Sequence, residues 1–375
     1  MNKPYQSDRY RVLIVDDSVV VRMVLSKLLS ADPMLEVVGA AKDAREARDL
    51  VRRLNPDVIT LDVEMPEIDG LSFLRVLMKH HPLPVVMCSS LVGRGSDILI
   101  QALEAGALDA IEKPKMGAKE FFLEAQTQIC DTVRGAAMAR IPVAGKRQER
   151  RRRPRDVEYA APSPGNKLTA DAVLPPRPLI SSQTAKHPKI IAIGASTGGP
   201  EALRKFLETM PENTPPIVVV QHMPEAFTGA FANRLNKYCK VEVVEAQHGM
   251  ALTSGTAFIA PGGKHLAVKR SENVNRLQLL DGPLVARHRP SADVLFRSVA
   301  QQYGASSCGV LLTGMGDDGA QGLCELRQTG AVTYGQSEES CVVYGMPKVA
   351  KQLGGVAHEL PLMEIPAAIQ DVLNS

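Results

Sequence analysis

The sequence predicts an α/β protein made of two doubly wound parallel-sheet domains, and its length and its apolar pattern favour this fold class. The chain has 375 residues, which is more than one hydrophobic core usually serves. Short apolar runs alternate with amphipathic helical patterns on both sides of a segment rich in proline and arginine. This alternation is typical of parallel strands joined by crossover helices.

The elements of the first half follow one another as strand and helix. The run RVLIVDD predicts a strand, which is followed by a helix from about Val19, by the strand EVVGAA and by a helix over about residues 44–54. The runs VITLDV, VVMCSS and DAIEKP predict further strands with helical patterns between them. We therefore expect a parallel sheet in this half.

The periodicity stops between about Arg134 and Lys189 and then resumes with KIIAIGAS, PIVVVQH, VEVVEA, TAFIAPG, CGVLLTGMG and AVTYGQ. These apolar runs predict a second parallel sheet. We accordingly predict one domain over residues 8–130, a flexible, basic and Pro-rich linker over 131–187, and a second domain over 188–375.

The composition excludes several classes of protein. With 45% hydrophobic residues and a net charge of +3, the chain can bury large cores, and its small positive charge does not by itself indicate a nucleic-acid partner. It has no run of about 18 apolar residues, and the start MNKPYQSDRY lacks the apolar core of a signal peptide. We expect a soluble cytoplasmic protein with no membrane insertion. The 6 cysteines form no CxxC pair, so we expect them to be reduced and buried, without a disulfide or zinc framework.

Polar side chains end the predicted strands of the first domain, where sheets of this class place their working residues. They are Asp16, Asp17, Asp62, Ser89 and Lys113. Three carboxylates that converge on one edge repel one another and form a hard-oxygen site suited to Mg²⁺. A lysine and a hydroxyl beside them suit a bound phosphoryl group. These residues together predict a metal site that handles phosphoryl groups.

The second domain opens with IIAIGASTGGPEALRKFLETM, which predicts a strand, a tight glycine turn with Ser196 at its tip, and a helix. Such a turn either cradles a phosphate or presents a nucleophile. A dinucleotide loop is disfavoured because Ser196 replaces the middle glycine of G-x-G-x-x-G, and the next strand ends in Gln221 and His222 where an acid would bind ribose. A P-loop lysine is also missing. The pattern Gly194-x-Ser196-x-Gly198 therefore favours a nucleophilic serine.

His222 ends the strand that follows Ser196 in the sequence. Neighbouring parallel strands would place the two residues at one edge, where the imidazole can take the serine proton. A third group must orient the imidazole, and Asp317 and Asp318 both follow a predicted strand in CGVLLTGMGDDGAQG. The glycines of both turns leave N–H groups available to an oxyanion. The spacing alone leaves the choice between the two aspartates open.

The motifs VLIVDDS, ITLDVEMPEIDGLSFL, VVMCSS and EKP resemble the receiver domain of response regulators over roughly residues 10–130. The resemblance implies a flavodoxin-like fold with Asp62 as the phosphoacceptor. It also implies that Asp16 and Asp17 hold Mg²⁺ together with Asp62 and the backbone carbonyl of Glu64.

The same resemblance implies that Ser89 is the switch hydroxyl and that Lys113 contacts the phosphoryl oxygens. One position departs from the family pattern, because Ala110 stands where an aromatic residue is usual. The aromatic half of the usual switch is therefore missing from the sequence.

The motifs GASTGGPEAL, QHMP, APGGKHL, RPSADVLFRSVA and LLTGMGDDGAQGL resemble the catalytic domain of the CheB family, the chemotaxis protein-glutamate methylesterases, over roughly residues 188–372. The resemblance implies an α/β methylesterase domain whose substrate is a glutamyl γ-methyl ester on the cytoplasmic helices of a chemoreceptor. It implies a chemotaxis-type histidine kinase as the phosphodonor, and it requires no cofactor for ester hydrolysis.

By this resemblance the nucleophile is Ser196, the base is His222 and the orienting acid is Asp318. Thr197 and Met315 are expected close to the reacting centre and its oxyanion. The family also deamidates glutamine, which we expect to be slower than ester hydrolysis because an amide is a poorer acyl donor.

Two other functions remain open from the residues. A DNA-binding response regulator would use the basic run GKRQERRRRPR, but this run lies in Pro-rich sequence without a helix-turn-helix or aromatic platform, so we expect no nucleic-acid partner. An esterase for small metabolites would use the same serine chemistry.

Overall fold

The computed structural model describes residues 9–90, 94–114, 119–139, 167–177, 188–270 and 274–374. The chain divides into two compact units, Met1–Asn166 and Lys167–Ser375. Each unit is built on a parallel sheet with helices between its strands. This confirms the predicted fold class.

The first unit alternates strand and helix throughout its described part. Its elements are β1 (Tyr10–Val15), α1 (Val19–Ser30), β2 (Leu35–Ala41), α2 (Ala44–Leu54), β3 (Val58–Asp62), α3 (Gly70–His80), β4 (Val85–Ser89), α4 (Arg94–Glu104), β5 (Asp109–Glu112) and α5 (Lys119–Met138). The strands are parallel in the order β2-β1-β3-β4-β5. Because the order reverses between β1 and β3, the carboxyl ends of these two strands border a crevice where such sheets bind ligands.

The helices that follow these strands begin at residues suited to an N-cap. Ser18, Asp43 and Asp69 each accept a hydrogen bond from the backbone N–H three residues later. Gly70 starts α3 in close contact with β3, because a Cβ at this position would lie 1.9 Å from the carbonyl oxygen of Asp62. This close approach fixes the loop that follows Asp62.

The first unit extends further than the sequence predicts. The sequence predicts that this unit ends at residue 130, whereas α5 continues to Met138. Arg134 explains the extension, since its buried guanidinium lies 3.2 Å from the carboxylate of Asp32 and also pairs with Asp131. Because breaking a buried ion pair leaves an uncompensated charge, these contacts stabilise the end of α5.

The second unit has a larger parallel sheet, in the order β14-β13-β12-β6-β7-β9-β8, and an antiparallel ribbon β10-β11. Its elements are β6 (Ile191–Ala195), α6 (Gly199–Glu208), β7 (Ile217–Gln221), α7 (Glu225–Leu235), β8 (Glu242–Glu245), β9 (Thr256–Ile259), β10 (His265–Lys269), β11 (Arg276–Leu280), α8 (Ala292–Tyr303), β12 (Cys308–Leu311), α9 (Ala320–Gln328), β13 (Val332–Gln336), α10 (Met346–Gln352), β14 (His358–Leu360) and α11 (Ile365–Asn374). Strands β6, β7 and β12 are buried along their whole length.

Helix α8 packs closely on β6. A Cβ at Gly194 would lie 2.8 Å from the Cβ of Ala292, so glycine is what allows the helix to approach the strand. Phe296 and Val299 of the same helix belong to the main hydrophobic core of this unit. The packing brings the N-terminus of α8 to the carboxyl edge of the sheet.

Part of the predicted flexible linker is ordered against the second unit. Residues 167–177 contain a short 3₁₀ turn, Ala170–Ala172, which packs with Val173 on Val285 and Val294. The linker was placed over 131–187, and its apolar residues here explain the difference because they have a hydrophobic surface to cover. The basic run GKRQERRRRPR lies outside the described residues.

Two expectations from composition concern other parts of the chain. Five of the cysteines are buried and Cys239 is partly exposed. Within the described ranges, no helix combines the length and the apolar character that a membrane crossing requires.

Candidate active site and phosphoacceptor site

Ser196 lies in the turn between β6 and α6. Its backbone N–H donates to the carbonyl oxygen of Thr313 (3.0 Å), and its own carbonyl accepts from the N–H of Gly199 (2.6 Å). Gly198 adopts φ +77°, a left-handed conformation that glycine accommodates without strain. The turn is thus closed tightly around the serine, as the glycine pattern predicts.

His222 leaves the neighbouring strand at the same level as Ser196. Strands β6 and β7 pair with Ala195 opposite Gln221, and the backbone N–H of His222 donates to the carbonyl of Ala195 (3.1 Å). The structure therefore brings the predicted nucleophile and base to adjacent strand ends.

Gln221 ties these two residues together, a role that sequence reasoning missed. Its buried side-chain amide donates to the carbonyl oxygens of Ser196 (3.1 Å) and His222 (3.0 Å). The available signal was a polar residue at the end of the apolar run PIVVVQH.

The structure distinguishes the two aspartates that follow β12. Nε2 of His222 lies 2.8 Å from Oδ2 of the buried Asp318. Asp317 instead pairs with the ammonium group of Lys167, and both of these side chains are partly exposed. The geometry assigns the aspartate that contacts the histidine as Asp318.

The N-terminus of α8 holds the Asp318 carboxylate. The hydroxyl of Ser291, which caps the helix, donates to Oδ1 (2.6 Å), the N–H of Ala292 donates to Oδ2 (2.7 Å) and the N–H of Asp293 donates to Oδ1 (3.2 Å). Burial acts to raise the pKa of Asp318, but the hydrogen bond and charge of His222, the charge of His288 and the donation from Ser291 together lower it. The carboxylate therefore stays ionised beside the imidazole.

The two ring nitrogens of His222 have different surroundings. Nε2 is engaged by Asp318, whereas Nδ1 is buried and has no hydrogen-bond partner in the described part of the chain. An ionised carboxylate stabilises the tautomer that carries its proton on Nε2. Nδ1 is then the nitrogen that can accept a proton.

Two predicted neighbours, Thr197 and Met315, lie buried in the turns beside Ser196. Thr313 joins these turns, since its hydroxyl oxygen lies 3.0 Å from the carbonyl of Thr197 and accepts from the N–H of Val343 (2.9 Å). No acceptor among the described residues bonds the backbone N–H of Thr197 or Met315. Both N–H groups are therefore available to an external oxygen.

In the first unit, the strand ends bring three carboxylates together. Oxygens of Asp16, Asp17 and Asp62 all lie within 4.8 Å of one another. Nζ of Lys113 lies 2.7 Å from Asp62 and 3.0 Å from Asp16. The predicted acidic cluster and its lysine are thus adjacent in the structure.

The Asp62 carboxylate is less well compensated than that of Asp318. Burial raises its pKa to about 6 against the hydrogen bond from Lys113, and the charge of Asp16 acts in the same direction as burial. The backbone N–H of Glu64 donates to Oδ1 (3.2 Å). Among the described residues, the cluster holds the three aspartates and not the Glu64 side chain, and the use of the Glu64 carbonyl stays a prediction.

Ser89 and Ala110 lie in the neighbouring strands of the same sheet. Ser89 is buried at the end of β4, and its carbonyl accepts from the N–H of Lys113 (2.9 Å). Ala110 is buried in β5 opposite Met87. The structure therefore places a methyl group where the receiver pattern has an aromatic ring.

A receiver-type unit with an acidic cluster, followed by a unit with serine, histidine and aspartate at its strand ends, defines a response regulator with a hydrolase as its output domain. The CheB methylesterase family matches residues 191–369, and the response regulator receiver domain matches residues 12–121. The chain belongs to the CheB methylesterase family, which confirms the resemblance of its motifs.

Relatives cover nearly all of the chain. It is 48% identical to protein-glutamate methylesterase/protein-glutamine glutaminase 3 of Rhodopseudomonas palustris over 96% of this chain and 95% of the relative. It is 49% identical to the corresponding protein 2 of Oleidesulfovibrio alaskensis over 97% of this chain and 99% of the relative. The solved CheB methylesterase catalytic domain of Thermotoga maritima is 36% identical, covers 49% of this chain and 98% of its own, and has a TM-score of 0.48.

Proposed function

We propose that this protein hydrolyses glutamyl γ-methyl esters on the cytoplasmic helices of chemoreceptors, under the control of phosphorylation at Asp62. One observation carries the catalytic part: His222 is hydrogen-bonded to Asp318 and stands beside Ser196 at adjacent strand ends. The names of the relatives, protein-glutamate methylesterase/protein-glutamine glutaminase, support the substrate class.

The reaction follows from the two ring nitrogens. Oγ of Ser196 attacks the ester carbonyl while Nδ1 of His222 takes its proton, and Asp318 stabilises the imidazolium through Nε2. The tetrahedral intermediate collapses, the C–O bond to the methoxy group breaks, and the leaving oxygen takes the proton from His222 to become methanol. Water then attacks the glutamyl-enzyme with His222 again as base, which releases the glutamate carboxylate and restores the serine.

The oxyanion that forms in both steps needs hydrogen-bond donors already in place. We assign this role to the backbone N–H groups of Thr197 and Met315, which have no partner in the described ranges. Donors fixed in a tight turn need no reorganisation when charge develops. We expect the same site to deamidate a glutamine side chain, whose amide nitrogen leaves as ammonia, more slowly than it hydrolyses the ester, because an amide is a poorer acyl donor.

The acidic cluster suits phosphorylation of Asp62. The chemistry of the donor set and the raised pKa of Asp62 fit a divalent cation, so Asp16, Asp17, Asp62 and the carbonyl of Glu64 would hold Mg²⁺. When bound, the ion supplies positive charge to the phosphoryl oxygens. Lys113 adds a second positive charge beside Asp62. The phosphodonor that this site implies is a chemotaxis-type histidine kinase.

The switch residues complete the proposed regulation. The Ser89 hydroxyl would bind the phosphoryl group from the neighbouring strand, and the two negative charges that phosphorylation adds would be drawn towards Lys113. Because Ala110 offers no aromatic ring to change rotamer, we expect partial rather than complete activation.

The decisive experiment measures methanol release from a methylated receptor. Ser196→Ala should lower turnover by about a thousandfold or more while the protein remains folded, because it deletes the nucleophile and little volume. Ser254→Ala, at an exposed serine in the same unit, is the matched control and should behave as the unmodified protein. Near-normal turnover by Ser196→Ala would overturn the proposed mechanism. Hydrolysis of small esters without hydrolysis of the methylated receptor would overturn the proposed substrate.

A further inference from the structure

The imidazole of His222 lies flat against a second histidine that the proposed mechanism does not use. The ring centroids of His222 and His288 are 3.7 Å apart, and the ring planes differ by 11°. Burial, followed by the charge of His222, lowers the pKa of His288 well below its usual value.

Stacking restrains a motion that the hydrogen bond to Asp318 leaves free. The χ2 torsion of histidine has a broad energy profile, so an imidazole held at Nε2 alone can still tilt about that contact. A flat ring 3.7 Å away opposes the tilt because it fills the space beside the imidazole face. The stack therefore fixes the direction of Nδ1, the nitrogen that must receive the serine proton.

His288 ends a tight turn that is conformationally unfavourable by itself. Val285 and His288 exchange backbone hydrogen bonds of 3.1 and 2.8 Å across this turn. The two residues between them, Ala286 (φ +48°) and Arg287 (φ +72°), are both left-handed. Turns of this kind prefer asparagine and glycine, because other side chains disfavour positive φ. The turn consequently needs support from its surroundings.

That support comes from residues 167–175, a described part of the segment predicted as a linker, which we call the linker strap. The carbonyl of Leu168 accepts a hydrogen bond from the backbone N–H of Ala286 (2.9 Å), directly at the left-handed turn. The apolar side chains of the strap and the turn form one cluster: Ala170, Val173, Val285, Ala286 and Val294.

Helix α8 anchors the strap at its other end. Arg297 donates to the carbonyl of Leu174 (3.1 Å) and also pairs with Asp171, and the side-chain amide of Gln301 donates to the carbonyl of Pro175 (3.0 Å). Because the N-terminus of this helix holds Asp318, the strap and the catalytic carboxylate are fixed to one rigid element.

We propose that His288 is a positioning residue for the base His222, and that the linker strap holds the turn that carries it. This inference rests on the proposed function for its kinetic consequence. Residues 167–175, which lie within the segment predicted as a linker, are then part of the catalytic apparatus.

The first test replaces His288 in the full-length protein. His288→Ala should lower kcat for methanol release about tenfold with little change in KM, and His288→Phe should restore kcat to within about threefold because it keeps a flat ring. The NMR signal of the His222 Nε2 proton should broaden or disappear in His288→Ala and persist in His288→Phe. An unchanged kcat together with an unchanged NMR signal in His288→Ala would overturn the positioning role. Equal losses of kcat in His288→Ala and His288→Phe, with both variants folded, would also overturn it.

The NMR arm separates this inference from the proposed function. If the unmodified protein releases no methanol but the His222 signal still depends on His288, the proposed function fails and the positioning role stands. If methanol is released and neither readout responds to His288→Ala, the positioning role fails and the proposed function stands.

The second test concerns the linker strap. Deletion of residues 167–175 should lower kcat about as much as His288→Ala, whereas deletion of residues 146–160 should leave the basal rate unchanged. Combining the strap deletion with Ala286→Gly and Arg287→Gly should recover part of the loss, since glycine accepts positive φ without support. Full activity after deletion of the strap would show that the turn holds itself, and this result would overturn the role given to the strap.

Discussion

Two buried carboxylates, Asp62 at the end of β3 and Asp318 in the loop after β12, have surroundings that act in opposite directions on their pKa. Asp62 stands beside Asp16, and burial raises its pKa to about 6 despite Lys113. Asp318 is also buried, but His222 and the donors at the N-terminus of α8 lower its pKa. The fold decides where each carboxylate lies, whereas the neighbouring donors decide what it can do.

The comparison explains the two chemistries. A buried carboxylate whose negative charge is only partly balanced by its neighbours binds a cation favourably, which suits a site for a metal ion and a phosphoryl group. A fully hydrogen-bonded carboxylate needs no further donor or cation, and it acts as a fixed negative charge beside an imidazole. Predictions that alter either environment therefore test the comparison directly.

The largest effect is expected for Asp318→Asn. The amide cannot stabilise an imidazolium, and its NH₂ group conflicts with N–H donors such as that of Ala292, so kcat should fall by about a thousandfold to ten thousandfold. Measuring both methanol release and the midpoint of thermal unfolding separates a loss of catalysis from a loss of folding. A loss smaller than tenfold would show that the helix N-terminus does not keep a catalytic charge in place.

Asp62→Asn should leave basal methanol release unchanged and abolish its stimulation by a small phosphodonor with Mg²⁺. Asp62 is the proposed phosphoacceptor, and the substitution leaves the catalytic site of the second unit untouched. Deletion of residues 1–145 should raise the rate as phosphorylation does, if the receiver restrains the esterase. A truncated protein no faster than the unphosphorylated full chain would mean that phosphorylation acts in another way, such as recruitment to the receptor.

The two carboxylates should also have opposite effects on stability. In EDTA at pH 7.5, Asp62→Asn should raise the free energy of unfolding of the first unit by about 2 kcal/mol, because it removes a buried and undercompensated charge. Asp318→Asn should lower the free energy of unfolding of the second unit. Calorimetry resolves the two units, and Asp17→Asn, at an exposed member of the same cluster, should change little.

The pH dependence of this stability effect has a defined sign. The pKa of Asp62 is raised in the folded protein from the ordinary 3.8 to about 6, so the destabilising charge is fully present above pH 6 and is lost as the pH falls towards 4. The advantage of Asp62→Asn should shrink accordingly between pH 7.5 and 4.5. An advantage that stays constant over this range would contradict the raised pKa.

The smallest effect is expected for Asp317→Asn, the neighbour of the catalytic aspartate. Its ion pair with Lys167 joins two partly exposed side chains, and such pairs contribute little because water screens them. Turnover should stay within about threefold of the unmodified protein. A loss greater than that of Asp318→Asn would reverse the assignment of the two aspartates.

The strand ends were the part of the site most accessible from the sequence. Apolar runs alternate with helical patterns, so the sequence points to the residues that end or directly follow the runs, such as Asp62, Ser196 and His222. Parallel strands point their carboxyl ends to one edge, which makes this step a matter of periodicity alone. The second aspartate rested on the resemblance, because two adjacent acids have the same pattern.

The supporting residues were not accessible in this way. Ser291 lies in the motif RPSADVLFRSVA, but nothing in that motif says that it donates to Asp318. His288 and the linker strap are separated from His222 by long stretches of chain, and the strap lies in sequence without periodicity. The contacts that suggest their roles arise only in the folded chain, where His288 stacks on His222 and the strap packs on α8.

The sequence by itself determined the order of strands and helices, the two units, and the reactive residues at the strand ends, because these depend on local periodicity and residue chemistry. The tertiary structure decided which nitrogen of His222 is free, which aspartate it contacts, and which segments hold both in place. Hydrogen bonds and stacking act over a few ångströms between residues far apart in the chain. They are therefore set by how the elements pack and not by neighbours in the sequence.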